Sequence, residues 1–124
     1  MNKTTTISLA GVLGALAVML GAFGAHALEA PLAAKNLTDT YQTAVQYHFY
    51  HTLALLVTGL LMGQQNSKKL RWAALLFAVG ILFFSGSLYV LCLTGVRVLG
   101  AITPIGGVLF IAGWVLLAID FAKK

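Results

Sequence analysis

The chain has 124 residues, 60% hydrophobic and 9% charged, with eight Lys and Arg against three Asp and Glu for a net charge of +5. Ordinary soluble domains carry about 25% charged residues. A chain this short has too little interior to hide so much apolar surface from water, so the composition points to one domain solvated by lipid. The cations sit at the ends of apolar runs, not along one face with stacking aromatics, which argues against a nucleic-acid partner. The single Cys92 leaves no intramolecular disulfide.

The first apolar run covers about 6–27 and meets the roughly 20 residues a helix needs to span a bilayer. On a helical wheel Gly11, Gly14, Val18, Gly21, Ala22 and Ala25 share one side, and Leu9, Leu13, Leu16, Leu20 and Phe23 the other. The small side is expected to pack on another helix and the bulky side to face lipid. Lys3 and the Ala25-His26-Ala27 triplet resemble parts of a cleaved signal, but the run exceeds an h-region of about 7–15 residues, so a retained helix is expected. A polar break at 28–40 follows, with Glu29, Pro31, Lys35, Asn36 and Asp39. Ala30-Pro31 suits the start of a short interfacial helix, and Thr38 or Asp39 is the expected N-cap of the next one.

The second span is expected at about 41–63. Its first half, from Tyr41 to Leu53, crowds polar, titratable and aromatic groups together as nowhere else in the chain. A polar loop at 63–71 carries Lys68, Lys69 and Arg71. The third span, about 70–93, has Trp72 near its start as an interfacial anchor. A tight turn with Arg97 leads to the fourth, about 100–121. There Pro104 falls in the first turn, where a missing N–H costs little. Gly106-Gly107 and Ala112-Gly113 offer close-contact points, and Trp114 lies inside the run. The reading is an all-α bundle of four transmembrane helices. Lys3, Lys68, Lys69, Arg71, Lys123 and Lys124 share one side, against Lys35 and Arg97 on the other, so both termini are expected in the cytoplasm.

With this topology all three histidines gather near the outer end. His26 closes the first span, while His48 and His51, spaced i, i+3, lie in the upper part of the second. Ala44, Tyr47, Leu55 and Thr58 share their broad inward face, and Gln42 and Gln46 point away. Ser85, Tyr89 and Cys92, at i, i+4, i+7, share a face of the third span at similar depth, and Thr103 opens the fourth. Polar groups in a membrane need partners, and ionisable ones are functional candidates. The candidate cluster is therefore His26, Tyr47, His48, His51, Ser85, Tyr89, Arg97 and Thr103. It reads either as a hydrogen-bond network pinning the helices, or as a metal or haem site on His26, His48 and His51, or as a pocket for a quinone or lipid. No HExxH, CxxC or comparable metal signature is present, nor any nucleotide or hydrolase motif; neither a metal nor a cofactor is assigned. Arg97 could pair with Glu29, Asp39 or a lipid phosphate. Asp120 most simply meets Lys123 or Lys124.

Four stretches, Gly21-Ala-Phe-Gly-Ala-His26, Tyr41 to His51, Phe84-Ser-Gly-Ser-Leu-Tyr89 and Ile102-Thr-Pro-Ile-Gly-Gly107, resemble a family of small bacterial inner-membrane proteins of unknown function (the UPF0382/DUF423 type), related to the eukaryotic transmembrane protein 256. The resemblance covers nearly the whole chain. It implies a multi-pass protein of the bacterial inner membrane and supplies no activity, substrate or cofactor. The expected function is that of a non-enzymatic accessory or scaffold protein, with lipid as its certain surroundings and a homo-oligomer or larger membrane complex as its setting. The alternatives are a ligand- or cofactor-binding protein (quinone, haem or metal) and a small transporter.

Overall fold

A computed structural model describes residues 1–65 and 67–122, and among these every regular element is helical. The helices are α1 (Lys3–Ala25), α2 (Glu29–Ala34), α3 (Thr38–Leu61), α4 (Lys68–Ile81), α5 (Ser87–Thr94) and α6 (Thr103–Ala122). A π-helical turn at Leu82–Gly86 joins α4 to α5, and a 3₁₀ turn at Arg97–Ala101 leads into α6. Three continuous stretches are long and apolar enough to cross a membrane: Lys3–Ala25, Lys68–Thr94 and Arg97–Ala122. The 24-residue α3 is as long, but its first four turns carry the Thr, Gln, Tyr and His groups.

The caps follow local chemistry at two helices. The Asn2 side chain accepts from the Thr5 N–H and the Ser67 side chain from the Leu70 N–H, each satisfying one of the donors a helix start leaves open. At α3 the expectation of Thr38 or Asp39 as cap is corrected. Leu37 is the N-cap, with no side-chain cap bond, and Thr38 is already helical. The connection arrives there straight from α2, with Leu37 donating back to the Leu32 carbonyl and Asn36 at a φ of 57°. That tight link leaves no free turn for a hydroxyl cap. Gly95, at φ 77°, ends α5 in the left-handed conformation that glycine adopts at no steric cost.

One core joins the long helices: Ala10 of α1, Ala54 and Leu55 of α3, Ala73, Ala74, Phe77 and Ile81 of α4, and Phe110 of α6. α4 and α6 interlock reciprocally, Phe110 lying over Gly80 and Phe77 over Gly113. At Gly106 the approach is closest. A Cβ there would sit 2.3 Å from the Phe84 backbone nitrogen, so only glycine lets α6 meet the π turn. Interfaces between membrane helices rely on such small residues.

The small-residue stripe of α1 packs as expected, but around a different centre. Ala10 and Ala17 are buried, and Gly14, Gly21 and Gly24 face Thr52, Val45 and Tyr41 of α3. Gly11 meets nothing within 4 Å and Val18 is 65% exposed, whereas Leu9 and Leu13 turn toward the core. The packed face is rotated by about 80°, just under one residue, from the one expected. Small residues occupy enough of α1 to permit either face. The choice is made by what protrudes from α3, namely Tyr41, Val45 and Thr52.

Candidate functional site

Helices α1, α5 and α6 and the π turn each give a group to a polar seam that runs through the bundle along α3. His51 is 5% exposed and has both ring nitrogens engaged. Its Nδ1 lies 2.8 Å from the Tyr47 carbonyl, and its Nε2 lies 3.1 Å from the indole nitrogen of Trp114 on α6. A carbonyl only accepts and an indole N–H only donates. The pair of partners therefore assigns one form of the ring: neutral, with the proton on Nδ1. The ring also stacks on Phe110, centroids 3.5 Å apart and planes within 9°.

One turn toward the start of α3, His48 is 2% exposed and its Nδ1 lies 2.8 Å from the Tyr89 hydroxyl of α5. Its Nε2 is buried and has no hydrogen-bond partner. Tyr89 packs edge-on to Tyr41, centroids 5.6 Å apart, and Tyr41 donates its hydroxyl hydrogen to the Leu20 carbonyl of α1. Gly24 leaves room for that ring, because a Cβ there would fall 2.3 Å from it. Tyr41 and Tyr89 form the floor of an apolar cleft of about 230 Å³ whose other walls are Leu20, Phe23, Leu28 and Leu93.

The α4–α5 stretch meets α3 and its N-cap through three groups in register. Ser85 in the π turn donates to the Ala44 carbonyl at 2.7 Å, Tyr89 meets His48, and the Cys92 thiol points to the Leu37 carbonyl at 3.9 Å. The i, i+4, i+7 face read from the sequence is thus the face that contacts α3. Ser87 turns the other way. It donates to the Phe84 carbonyl at 2.9 Å and takes a 2.7 Å bond from Thr103, which fastens the start of α6 beside the π turn.

Of the eight expected cluster residues, Tyr47, His48, His51, Ser85 and Tyr89 come together along one face of α3, with Thr103 tied in through Ser87. Tyr47 is 39% exposed and its ring stacks on Phe84 at 4.9 Å. His26 does not join. It is the exposed C-cap of α1 and makes no hydrogen bond to α3 among the described residues. Arg97 does not join either; it is exposed and donates to the Lys35 carbonyl at 3.3 Å, not to Glu29 or Asp39. The triad His26, His48 and His51 is therefore not assembled. Among the described residues no group of three metal-ligating side chains is placed to hold an ion.

Three participants were missed. Trp114 and Phe110 complete the His51 site from α6. An indole N–H in the middle of an apolar run was the available signal, because such a group needs an acceptor. The third is Asp120, which is 7% exposed. Its two oxygens accept from Gln65 Nε2 at 2.7 Å and Ser67 Oγ at 2.6 Å, so it clamps the end of α6 to the loop before α4. Lys123 and Lys124, its expected partners, lie outside the described residues.

Long apolar helices packed through small residues, with their polar groups bonded inward, define an integral α-helical membrane protein. Its relatives give that class a family. A family model described as "Protein of unknown function (DUF423)" matches residues 20–107. A UPF0382 membrane protein of Staphylococcus haemolyticus is 50% identical over 116 residues, covering 90% of this chain and 93% of that one. The UPF0382 membrane protein YwdK of Bacillus subtilis is 44% identical (94% and 95% covered), and the UPF0382 inner membrane protein YgdD of Escherichia coli K12 is 38% identical (96% and 90%). The chain belongs to this family of bacterial multi-pass membrane proteins. No solved structure matches it.

Proposed function

We propose that the chain is a single-domain, four-span bundle with both termini in the cytoplasm and spans at about 6–27, 41–63, 70–93 and 100–121. In this reading it acts as a non-enzymatic accessory or scaffold protein of the inner membrane, alone, as a homo-oligomer or within a larger complex. At 1.5 Å per residue α3 is about 36 Å long, enough to cross despite its polar half, and within that half Tyr41, His48, His51 and Thr52 turn inward. The asymmetry of Lys and Arg supports the orientation. The observation that carries the functional reading is His51. With Nδ1–H given to the Tyr47 carbonyl and the Nε2 lone pair given to Trp114, the ring has nothing left to offer a metal, haem or substrate. It serves to fix α6 against α3.

Two measurements test this. His51→Ala in detergent should lower the melting temperature, with any cellular phenotype following the loss of folded protein. Unchanged melting together with a lost phenotype overturns the structural role. For topology, in a Cys92→Ala background, a cysteine at Val98 should label from outside intact cells and one at Gln64 should not; the reverse pattern inverts the proposed orientation.

A second reading, a site for a quinone-like or other membrane-soluble ligand, is favoured by one observation. In the His48–Tyr89 pair the histidine Nε2 is buried and unpartnered, and the tyrosine lines the apolar cleft of about 230 Å³. Protein purified under mild conditions should then carry a stoichiometric organic adduct by native mass spectrometry, lost in Tyr89→Phe. Colourless, metal-free protein with no such adduct ends this reading.

A further inference from the structure

Down α3 runs a line of residues that the rest of the chain leaves exposed: Gln42, Gln46, Phe49, Leu53, Val57 and Leu60. Their steps of four, three, four, four and three are those of a seam between paired helices. The lower part is apolar, as a lipid-facing surface is. The upper part is not. Gln42 lies about 6 Å and Gln46 about 12 Å along the helix from its start. Among the described residues neither carboxamide has a hydrogen-bond partner, whereas Thr52, Thr58 and Ser85 are each bonded to a carbonyl. An amide left unpaired inside a bilayer is costly.

A carboxamide holds a donor and an acceptor in one group, so it is charge-complementary to a copy of itself. Two chains inserted in the membrane in the same sense are related by a two-fold axis along the membrane normal, and the same patch of each then meets the other. Near that axis two glutamines at one depth close a pair of N–H···O bonds, where two like charges would repel. Between residues 40 and 61 the chain has no Asp, Glu, Lys or Arg. We infer that the seam is a homodimer interface: α3 packs in parallel on α3 of a second copy, with Gln42 and Gln46 paired across the axis and the apolar residues interdigitating below. A notch of about 170 Å³ lies between the glutamines and Gly21, Gly24 and Ala25 of α1, and such small residues let a partner approach closely. A few polar residues in an otherwise apolar seam fix its register and partner number. The interface rests on the four-span reading only in needing α3 to lie in the bilayer, and it is independent of the role of the histidines.

The test uses the full chain in native membranes, in a Cys92→Ala background, with single cysteines and copper phenanthroline as oxidant. Phe49→Cys and Leu53→Cys leave both glutamines in place and change only exposed positions, which the fold tolerates. Each should cross-link as a dimer, far more than Ile111→Cys, an apolar and more exposed position on α6. Without oxidant, native mass spectrometry in mild detergent should show a dimer. Gln42→Leu combined with Gln46→Leu should weaken that dimer about tenfold or more, through the loss of its interhelical hydrogen bonds. Monomer alone, equal cross-linking at Ile111→Cys, a dimer unchanged by the double variant, or a cross-linked product containing a different protein each overturns the homodimer. A water-soluble maleimide separates this from the span reading. Leu53→Cys should resist it from either side of the membrane. If that cysteine is labelled, α3 lies in water and the span falls together with the interface; if it is shielded and no dimer forms, the interface alone falls.

Discussion

His48 and His51 are the same residue type on the same helix, one turn apart and equally buried, yet their surroundings differ. His51 faces α6 and finds an acceptor for its proton, a donor for its lone pair and a ring to stack on. His48 faces α1 and α5, where it finds the Tyr89 hydroxyl for Nδ1 and nothing for Nε2. The Leu13 backbone of α1 interacts with this ring, though Nε2 makes no hydrogen bond within 3.5 Å. The contrast follows from the helices involved. α6 is held to the rest of the bundle by reciprocal Phe–Gly contacts and by the Gly106–Phe84 approach, so Trp114 is placed accurately. α1 meets α3 through small residues that fix a distance but offer no polar side chain to a histidine. An unmet buried group costs about 1–3 kcal/mol. The α6 side of the seam is therefore the cohesive one, and the α1 side carries the unmet demand.

The largest effect should come from breaking the α6 side at its backbone. Gly106→Val puts a branched side chain where even a Cβ would meet the Phe84 backbone at 2.3 Å. Overpacking a well-filled site costs about 1–3 kcal/mol, and backbone cannot turn aside as a side chain can. The expected loss is at the upper end or beyond, about 3 kcal/mol or more, read as a collapse of melting temperature in detergent. His51→Ala should follow closely, at about 2–3 kcal/mol. It strands the Trp114 N–H and removes the Phe110 stack. A loss of less than about 0.5 kcal/mol in either variant would show that α6 does not depend on this contact.

The sequence made the bundle and most of the seam legible, for a physical reason. In lipid the polar residues are few and each must be satisfied, so their spacing alone placed Tyr47, His48, His51, Ser85 and Tyr89 on facing surfaces. Helix periodicity likewise put Gln42 and Gln46 outside, and both are exposed. What could not be read was anything set by a partner's shape. The π turn at Leu82–Gly86 has no composition signal. It is anchored by Ser85 on Ala44 of α3 and by the fit of Gly106 of α6, two contacts from two other helices, and by the local bond of Ser87 to Phe84. The face of α1 was ambiguous because small residues cover much of its circumference. His26 looked like a cluster member because depth was inferred from position in the chain, whereas the turn at 26–28 carries it outward. For Asp120 the sequence offered its neighbours Lys123 and Lys124 as partners, whereas Gln65 and Ser67 are brought to it only by folding.

An intermediate effect would sharpen the contrast by separating the hydrogen bond from the stack at His51. Trp114→Phe keeps an aromatic ring but removes the N–H, leaving the His51 Nε2 lone pair unmet. Side-chain hydrogen bonds between membrane helices contribute about 0.6 kcal/mol on average and up to about 1.7, so a loss of about 1 kcal/mol is expected. Combined with His51→Ala it should cost clearly less than the sum of the single variants, because both remove the same bond. Strict additivity would show that the two residues do not interact.

The smallest effects belong to the α1 side, where the sign of the double variant is the discriminating result. Tyr89→Phe alone should cost about 1 kcal/mol, since it leaves His48 with neither nitrogen partnered. His48→Leu alone removes the unmet Nε2 but strands the tyrosine hydroxyl, so its cost should be of similar size. Replacing both partners of a buried hydrogen bond by apolar groups can be nearly neutral or stabilising. His48→Leu with Tyr89→Phe should therefore melt within about 0.5 kcal/mol of the wild type, or above it, because the double variant also removes the nitrogen that no protein group serves. If it instead loses as much as the His51→Ala variant, then Nε2 is engaged in the membrane by something the protein itself does not provide, and the α1 side of the seam is a binding site rather than an unmet demand.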